Sequence, residues 1–227
     1  MIKNHPVIAF FVLVCVVAWG LWWGIAAAVP TFEMGHSLPG AWAPVISALF
    51  ITAWLNGRDG VKQLVRRWIK WRVPWPLYAF ALFSVGVVGM VAVALDMLMG
   101  GAPPSVSEMA SHIDMDTNDP IELLTVIPFV FLVLCIGGPL AEELGWRGFA
   151  QERLQQTMGP AWAGVLVGVV WSFWHIPLTL LLPSAYVNLP LAWFLPFVVA
   201  MGLWQAWLYV RSNGSVLLCL LLHAQGN

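Results

Sequence analysis

Two adjacent carboxylates, Glu142 and Glu143, close the apolar run 121–141, and Arg147 follows four residues after the second. Two later apolar runs each carry one imidazole, His175 and His223, and Asn227 follows the second. Charge in a bilayer core is costly, so an ionisable residue inside an apolar span is a functional candidate by default. A buried Glu or His with a tuned pKa can take a proton from water. An imidazole beside a carboxamide can donate to a developing oxyanion. The same Glu142, His175 and His223 are also a candidate ligand set for one zinc ion, with a fourth position for water. The HExxH zinc signature is missing, and no Ser occupies a GxSxG turn, which argues against a Ser nucleophile. No cysteine has a polar neighbour, so Cys15, Cys135 and Cys219 read as packing. His5, His36 and His112 lie in polar or terminal settings and read as structural.

Helical geometry suggests how these groups meet. Gly159-Pro160 is a helix-breaking pair. Glu142 lies 17 residues before Gly159 and His175 lies 16 after it. At 1.5 Å per residue both stand about 24–26 Å from that turn, level across a helical hairpin. Glu143, Arg147 and Gln151 recur at a spacing of four, and Glu before Arg is the favourable order. Glu142 is rotated about 100° from Glu143, so it is expected to face the histidines while Glu143 pairs with Arg147. Trp171 precedes His175 by four and Asn227 follows His223 by four, which puts each pair on one helix face.

The elements that must position these groups span a membrane. Hydrophobic residues are 60% of the 227 and charged residues 9%, against roughly 25% charged in soluble domains. Mean hydropathy is +0.82. The fold class expected is all-α, a polytopic transmembrane helical bundle. Candidate spans are 6–29, 40–56, 75–99, 121–141, 160–182, 190–210 and 214–227. That makes about seven, with the last incomplete, because a span needs about 20 residues. The first run is expected to be retained and not cleaved, since it is long and carries Trp19, Trp22 and Trp23. The last is expected either to end within the membrane or to belong to a chain cut short at Asn227.

Charge sets the orientation. All ten Lys and Arg fall on one side if the N-terminus is cytosolic, as the positive-inside bias requires. The segment 100–120 carries Glu108, Asp114, Asp116 and Asp119 and no basic residue, so it is expected outside. Val61, Leu64, Val65, Trp68 and Ile69 recur at helical spacing between the cations of 57–73, which suits a basic helix on a leaflet surface or a plain positive-inside loop. The net charge of −1 points to no nucleic-acid partner. Most of the 15 Trp lie near expected span ends, where indoles favour the membrane interface.

Glu142-Glu143-x-x-x-Arg147-Gly148, then Trp171-x-x-x-His175, then His223-x-x-x-Asn227 resembles the CPBP family, the CAAX prenyl protease 2 and bacteriocin-processing (Abi) group of intramembrane proteases. Trp171 stands where the family usually has Phe. The resemblance covers 121–227 as a catalytic region, with 1–120 as N-terminal membrane spans around the basic segment 57–73. It implies an intramembrane endopeptidase that hydrolyses a membrane-associated protein or peptide. Glu142 would be the base, assisted by His175; His223 and Asn227 would stabilise the oxyanion; Glu143, Arg147 and Trp171 would support the site. It leaves open whether the chemistry uses a zinc ion or Glu and His alone. The expected location is a cell membrane, with the lipid bilayer and the substrate as partners. The rival readings are a proton-coupled transporter, which lacks support from an inverted repeat, and a catalytically idle scaffold.

Overall fold

The computed structural model describes residues 2–113, 115–182 and 191–227. Asp114 and the first residue of the expected span 190–210 lie outside these. The described residues form helices and turns without strands. They comprise α1 (Pro6–Ala28), α2 (Leu38–Ala41), α3 (Ala43–Trp68), α4 (Trp75–Leu98), α5 (Val106–Ser111), α6 (Pro120–Gly137), α7 (Pro139–Glu143), a π-helix (Leu144–Gln151), α8 (Glu152–Met158), α9 (Pro160–Trp174), α10 (Ile176–Leu181), α11 (Leu191–Arg211) and α12 (Val216–Ala224).

Among the described residues, six helical stretches are long and apolar enough to cross a membrane: Pro6–Ala28, Met34–Trp68, Trp75–Leu98, Pro120–Met158, Pro160–Leu181 and Leu191–Arg211. The chain is an integral membrane protein. The seventh expected span is α12, which has 9 residues and is far short of the roughly 20 a crossing needs. It is a short helix held inside the bundle, with Val216, Leu218, Cys219 and Leu222 fully buried.

Small residues bring α9 and α11 into contact. A Cβ added at Gly164 would lie 2.7 Å from the Ala206 Cβ and 2.9 Å from the Gly202 carbonyl. One added at Gly202 would lie 2.6 Å from the Gly164 carbonyl. Glycine is required on both faces, because lipid offers no hydrophobic drive and helix association rests on close backbone packing. The Gly164-x-x-x-Gly168 spacing is legible in the sequence and marks this interface. At the other end of α9, Gly159 sits at φ 80°, in the left-handed region that lets α8 reverse into Pro160.

The helix α3 is two segments joined at Gly57, whose φ of 61° and ψ of −156° are not helical. The kink separates the apolar half from the basic half, as the composition of 40–56 and 57–73 suggests. One buried cluster runs from Phe10 and Trp22 through Trp146, Phe149 and Trp174 to Leu222, joining residues on both sides of position 120. Phe10 packs edge-on to Trp146 at 5.6 Å and lies 5.0 Å from Phe149, so α1 braces the π-helix directly. By contrast, α4 buries Ala81 alone and presents most of its surface outward, as a lipid-facing helix does. Outside the spans, Ser105 and Glu108 form a reciprocal capping box at the start of α5. Hydrogen bonds from the Ser105 amide and hydroxyl hold the Glu108 carboxyl below its usual range. The three cysteines are free.

Candidate active site

Both carboxylates sit at the end of α7, where the chain passes into the π-helix, and both are buried. Their partners divide. Glu142 Oε2 accepts from two indoles, Trp171 Nε1 at 2.8 Å and Trp146 Nε1 at 3.2 Å. Its other oxygen, Oε1, points toward Gly138: a Cβ added there would lie 3.0 Å from that oxygen and 3.7 Å from Asn227 Nδ2. One oxygen is anchored and the other faces a gap that only glycine leaves open.

Glu143 Oε1 accepts from Arg147 Nη1 at 2.9 Å, from His223 Nδ1 at 2.7 Å and from Gln205 Nε2 at 3.5 Å. The Glu143–Arg147 pair agrees with the spacing of four. The contact with His223 adds to the expectation that Glu142 faces the histidines and Glu143 pairs with Arg147: among the described residues it is Glu143 that hydrogen-bonds an imidazole, while Glu142 bonds two indoles. Glu143 thus joins the support pair to His223. Gln151 does not continue the stripe. Its Nε2 donates to the Pro160 carbonyl at 3.1 Å and ties the hairpin turn.

His175 caps the break between α9 and α10. Its Nδ1 lies 2.8 Å from the Trp171 carbonyl. A carbonyl only accepts, so Nδ1 carries the proton and Nε2 is the free ring nitrogen in the neutral form. The same logic applies to His223, whose Nδ1 donates to a carboxylate and whose Nε2 is left for the cavity. Trp171 connects the groups. Its ring lies under the Arg147 guanidinium at 4.6 Å and edge-on to His223 at 4.8 Å.

A small cavity of about 60 Å³ is lined by Trp171, His175, Phe194, Met201, His223 and Asn227, among others. Asn227 enters it by a different route from the one its spacing suggests. The last helix ends at Ala224, so the four-residue helical register does not apply. A turn closed by Gly226 N donating to the His223 carbonyl at 2.8 Å carries Asn227 back toward Gly138.

Glu142 Oε2 and both Nδ1 atoms are committed to the contacts above. Among the described residues no three His, Cys, Asp or Glu side chains converge to hold an ion. Three contributors escaped sequence reasoning: Trp146, Gly138 and Gln205. Trp146 follows Glu142 by four and Gly138 precedes it by four, both on its helix face. Gln205 is a lone carboxamide inside an apolar span, a polar residue that needs a partner helix. His36 is structural, its Nδ1 accepting from Glu33 N at 2.9 Å.

Comparison with known proteins agrees with the motifs. Residues 124–227 match the family model described as type II CAAX prenyl endopeptidase Rce1-like. The chain is 25% identical over 236 residues to the CAAX prenyl protease 2 of Methanococcus maripaludis, covering 97% of this chain and 82% of that protein. The resemblance to the CAAX prenyl protease group therefore extends across nearly the whole chain, and the family and relative both indicate a protease.

Proposed function

We propose that this chain is an intramembrane endopeptidase in which Glu142 activates water for attack on a peptide bond of a membrane-associated protein or peptide. The observation that carries the reading is the split carboxylate. Two indole donors fix Glu142 Oε2, while Oε1 is open beside Asn227 Nδ2. A base must be held in place and still reach its proton.

In this mechanism a water beside Glu142 Oε1 and His175 Nε2 gives its proton to Glu142, and its oxygen attacks the carbonyl carbon. Negative charge develops on the carbonyl oxygen. Asn227 Nδ2–H and a protonated His223 Nε2–H donate to it, and Glu143 stabilises that imidazolium through Nδ1. The tetrahedral intermediate collapses, breaking the C–N bond, when Glu142 passes the water's proton to the leaving amine. Glu142 Oε1 and both Nε2 atoms are the atoms left to act, and the direct route is preferred because Asn227 Nδ2 beside Oε1 suits an oxyanion donor.

The substrate class follows from the relative's name alone: a CAAX-type prenylated C-terminal tail is the first to test. We also place the N-terminus and the basic ends of the helices in the cytosol, on the distribution of Lys and Arg. The decisive assay is cleavage of a peptide library in detergent by wild type and Glu142→Gln, with and without chelator. Cleavage that needs Glu142 and survives chelation supports the reading. Activity and melting temperature that both fall on chelation and return with zinc would replace it with a metal mechanism.

A further inference from the structure

The basic end of the bundle holds a second cleft that proteolysis does not use. It has a volume of about 460 Å³ and is lined by Arg66, Arg67, Lys70, Glu152, Tyr209 and Asn213, together with Val210, Gln155 and Gly214. Its charges are unevenly satisfied. Arg67 is occupied: it bonds Tyr209 OH and lies 2.8 Å from Glu152 Oε1, which offsets the cleft's carboxylate. Lys70 Nζ gives one hydrogen bond, to the Asn213 carbonyl, and keeps two donors. Arg66 is exposed and makes no hydrogen bond or ion pair among the described residues. Three cations against one carboxylate leave an excess of two positive charges, carried by Arg66 and Lys70.

The walls say what kind of anion fits. Val210 belongs to the membrane-crossing helix α11, lines the cleft and is 43% exposed. Trp207, one turn deeper on α11, is 45% exposed. Next to Lys70, the side chains of Ile69, Trp71 and Trp75 are 68%, 61% and 77% exposed. Tryptophans with this exposure at a span end belong at the membrane–water interface. The cleft therefore opens at headgroup depth, with cations inside and an apolar wall leading toward the hydrocarbon.

We infer that this cleft binds the phosphate of an anionic lipid headgroup, with Arg66 and Lys70 holding the phosphate and Val210 and Trp207 meeting the acyl chains. Basic pockets between helices at the cytoplasmic face suit such lipids. Arg67 and Glu152 build the wall and are not free to exchange partners.

Native mass spectrometry of the full chain, titrated with phosphatidylglycerol or phosphatidylcholine, tests this. Wild type should retain phosphatidylglycerol about tenfold or more over phosphatidylcholine, from two added cation contacts. Arg66→Gln with Lys70→Gln should abolish most of that preference. Arg58→Gln with Lys62→Gln removes the same charge from the same basic segment outside the cleft and should leave the preference intact. Equal loss in both pairs would reduce the effect to surface charge and overturn the site, as would a preference that survives Arg66→Gln with Lys70→Gln. Inorganic phosphate is the second probe. If it binds as tightly as phosphatidylglycerol and displaces it, the cleft takes a free anion and the lipid assignment fails. Arg66→Gln alone, an exposed change, guards against misfolding of the double variant and should lose several-fold in preference.

Discussion

Glu142 and Glu143 are neighbours of one residue type, and their removal should produce opposite signatures. In Glu142→Gln the amide oxygen can still accept from Trp146 and Trp171, so two charge-assisted bonds become neutral ones. Each such change costs about 1 kcal/mol or less, so melting should fall by only a few degrees. Turnover should fall by at least ~10²-fold, because an amide is no base. In Glu143→Gln a buried charge disappears from between Arg147 and His223. Arg147 is 1% exposed and its Nη2 has no partner among the described residues, so no other carboxylate can take over. Breaking such a pair costs ~3–5 kcal/mol. At about 2–4 °C per kcal/mol for a chain of this size, the melting temperature should drop by roughly 6–20 °C. The assay is thermal unfolding in detergent beside cleavage of one validated substrate. Near-wild-type turnover of Glu142→Gln would refute the base assignment. A Glu142→Gln protein that melts as early as Glu143→Gln would refute the division of roles.

The other predictions are simpler. Gly138→Ala puts a methyl 3.0 Å from Glu142 Oε1, so turnover should drop at least tenfold with little loss of stability, since α6 and α7 tolerate Ala; unchanged kcat would show that the gap is not the water site. Asn227→Ala should cut kcat by ~10²–10³-fold with KM nearly constant, as an oxyanion donor requires, and a rise in KM alone would reassign it to binding. Ser105→Cys and Ser111→Cys should label from outside intact cells; labelling only after permeabilisation would invert the orientation.

The helical spans were legible because length and apolarity decide them, and the first six expected spans overlap the six crossing segments within a few residues at most ends. The seventh run is expected to be too short to span, and it is a helix of 9 residues; its burial in the bundle is not legible, because an apolar run describes a lipid-facing helix and a protein-buried one alike. Apart from His223, Val216–Ala224 is apolar, and seven of its nine residues are buried within the protein. The amphipathic segment after residue 56 was readable, yet its kink depends on one backbone angle, that of Gly57. The Glu143–Arg147 pair was readable because it is local. The pairing of Glu143 with His223 was not, because 80 residues separate them and the contact depends on how α12 is seated.

Periodicity states that two carboxylates a step apart face different neighbours; it does not state which neighbour stands in which direction. Here the indoles of Trp146 and Trp171 occupy one side and the imidazole of His223 the other. That arrangement changes the chemistry expected of each acid. A base bonded directly to His223 would have to share its proton with the group meant to donate to the oxyanion. With Glu143 between Arg147 and His223, the donor imidazole has its own counter-charge, and Glu142 keeps an oxygen free of both. The two halves of the proposed reaction, proton removal and oxyanion stabilisation, are then served by separate carboxylates. Glu143→Gln should therefore impair turnover even in the fraction of protein that remains folded, and Glu142→Gln should leave the His223 geometry intact. Imidazole NMR resonances offer the check: the His223 Nδ1–H signal should persist in Glu142→Gln and shift or vanish in Glu143→Gln, and the reverse pattern would overturn the division of roles between the two carboxylates.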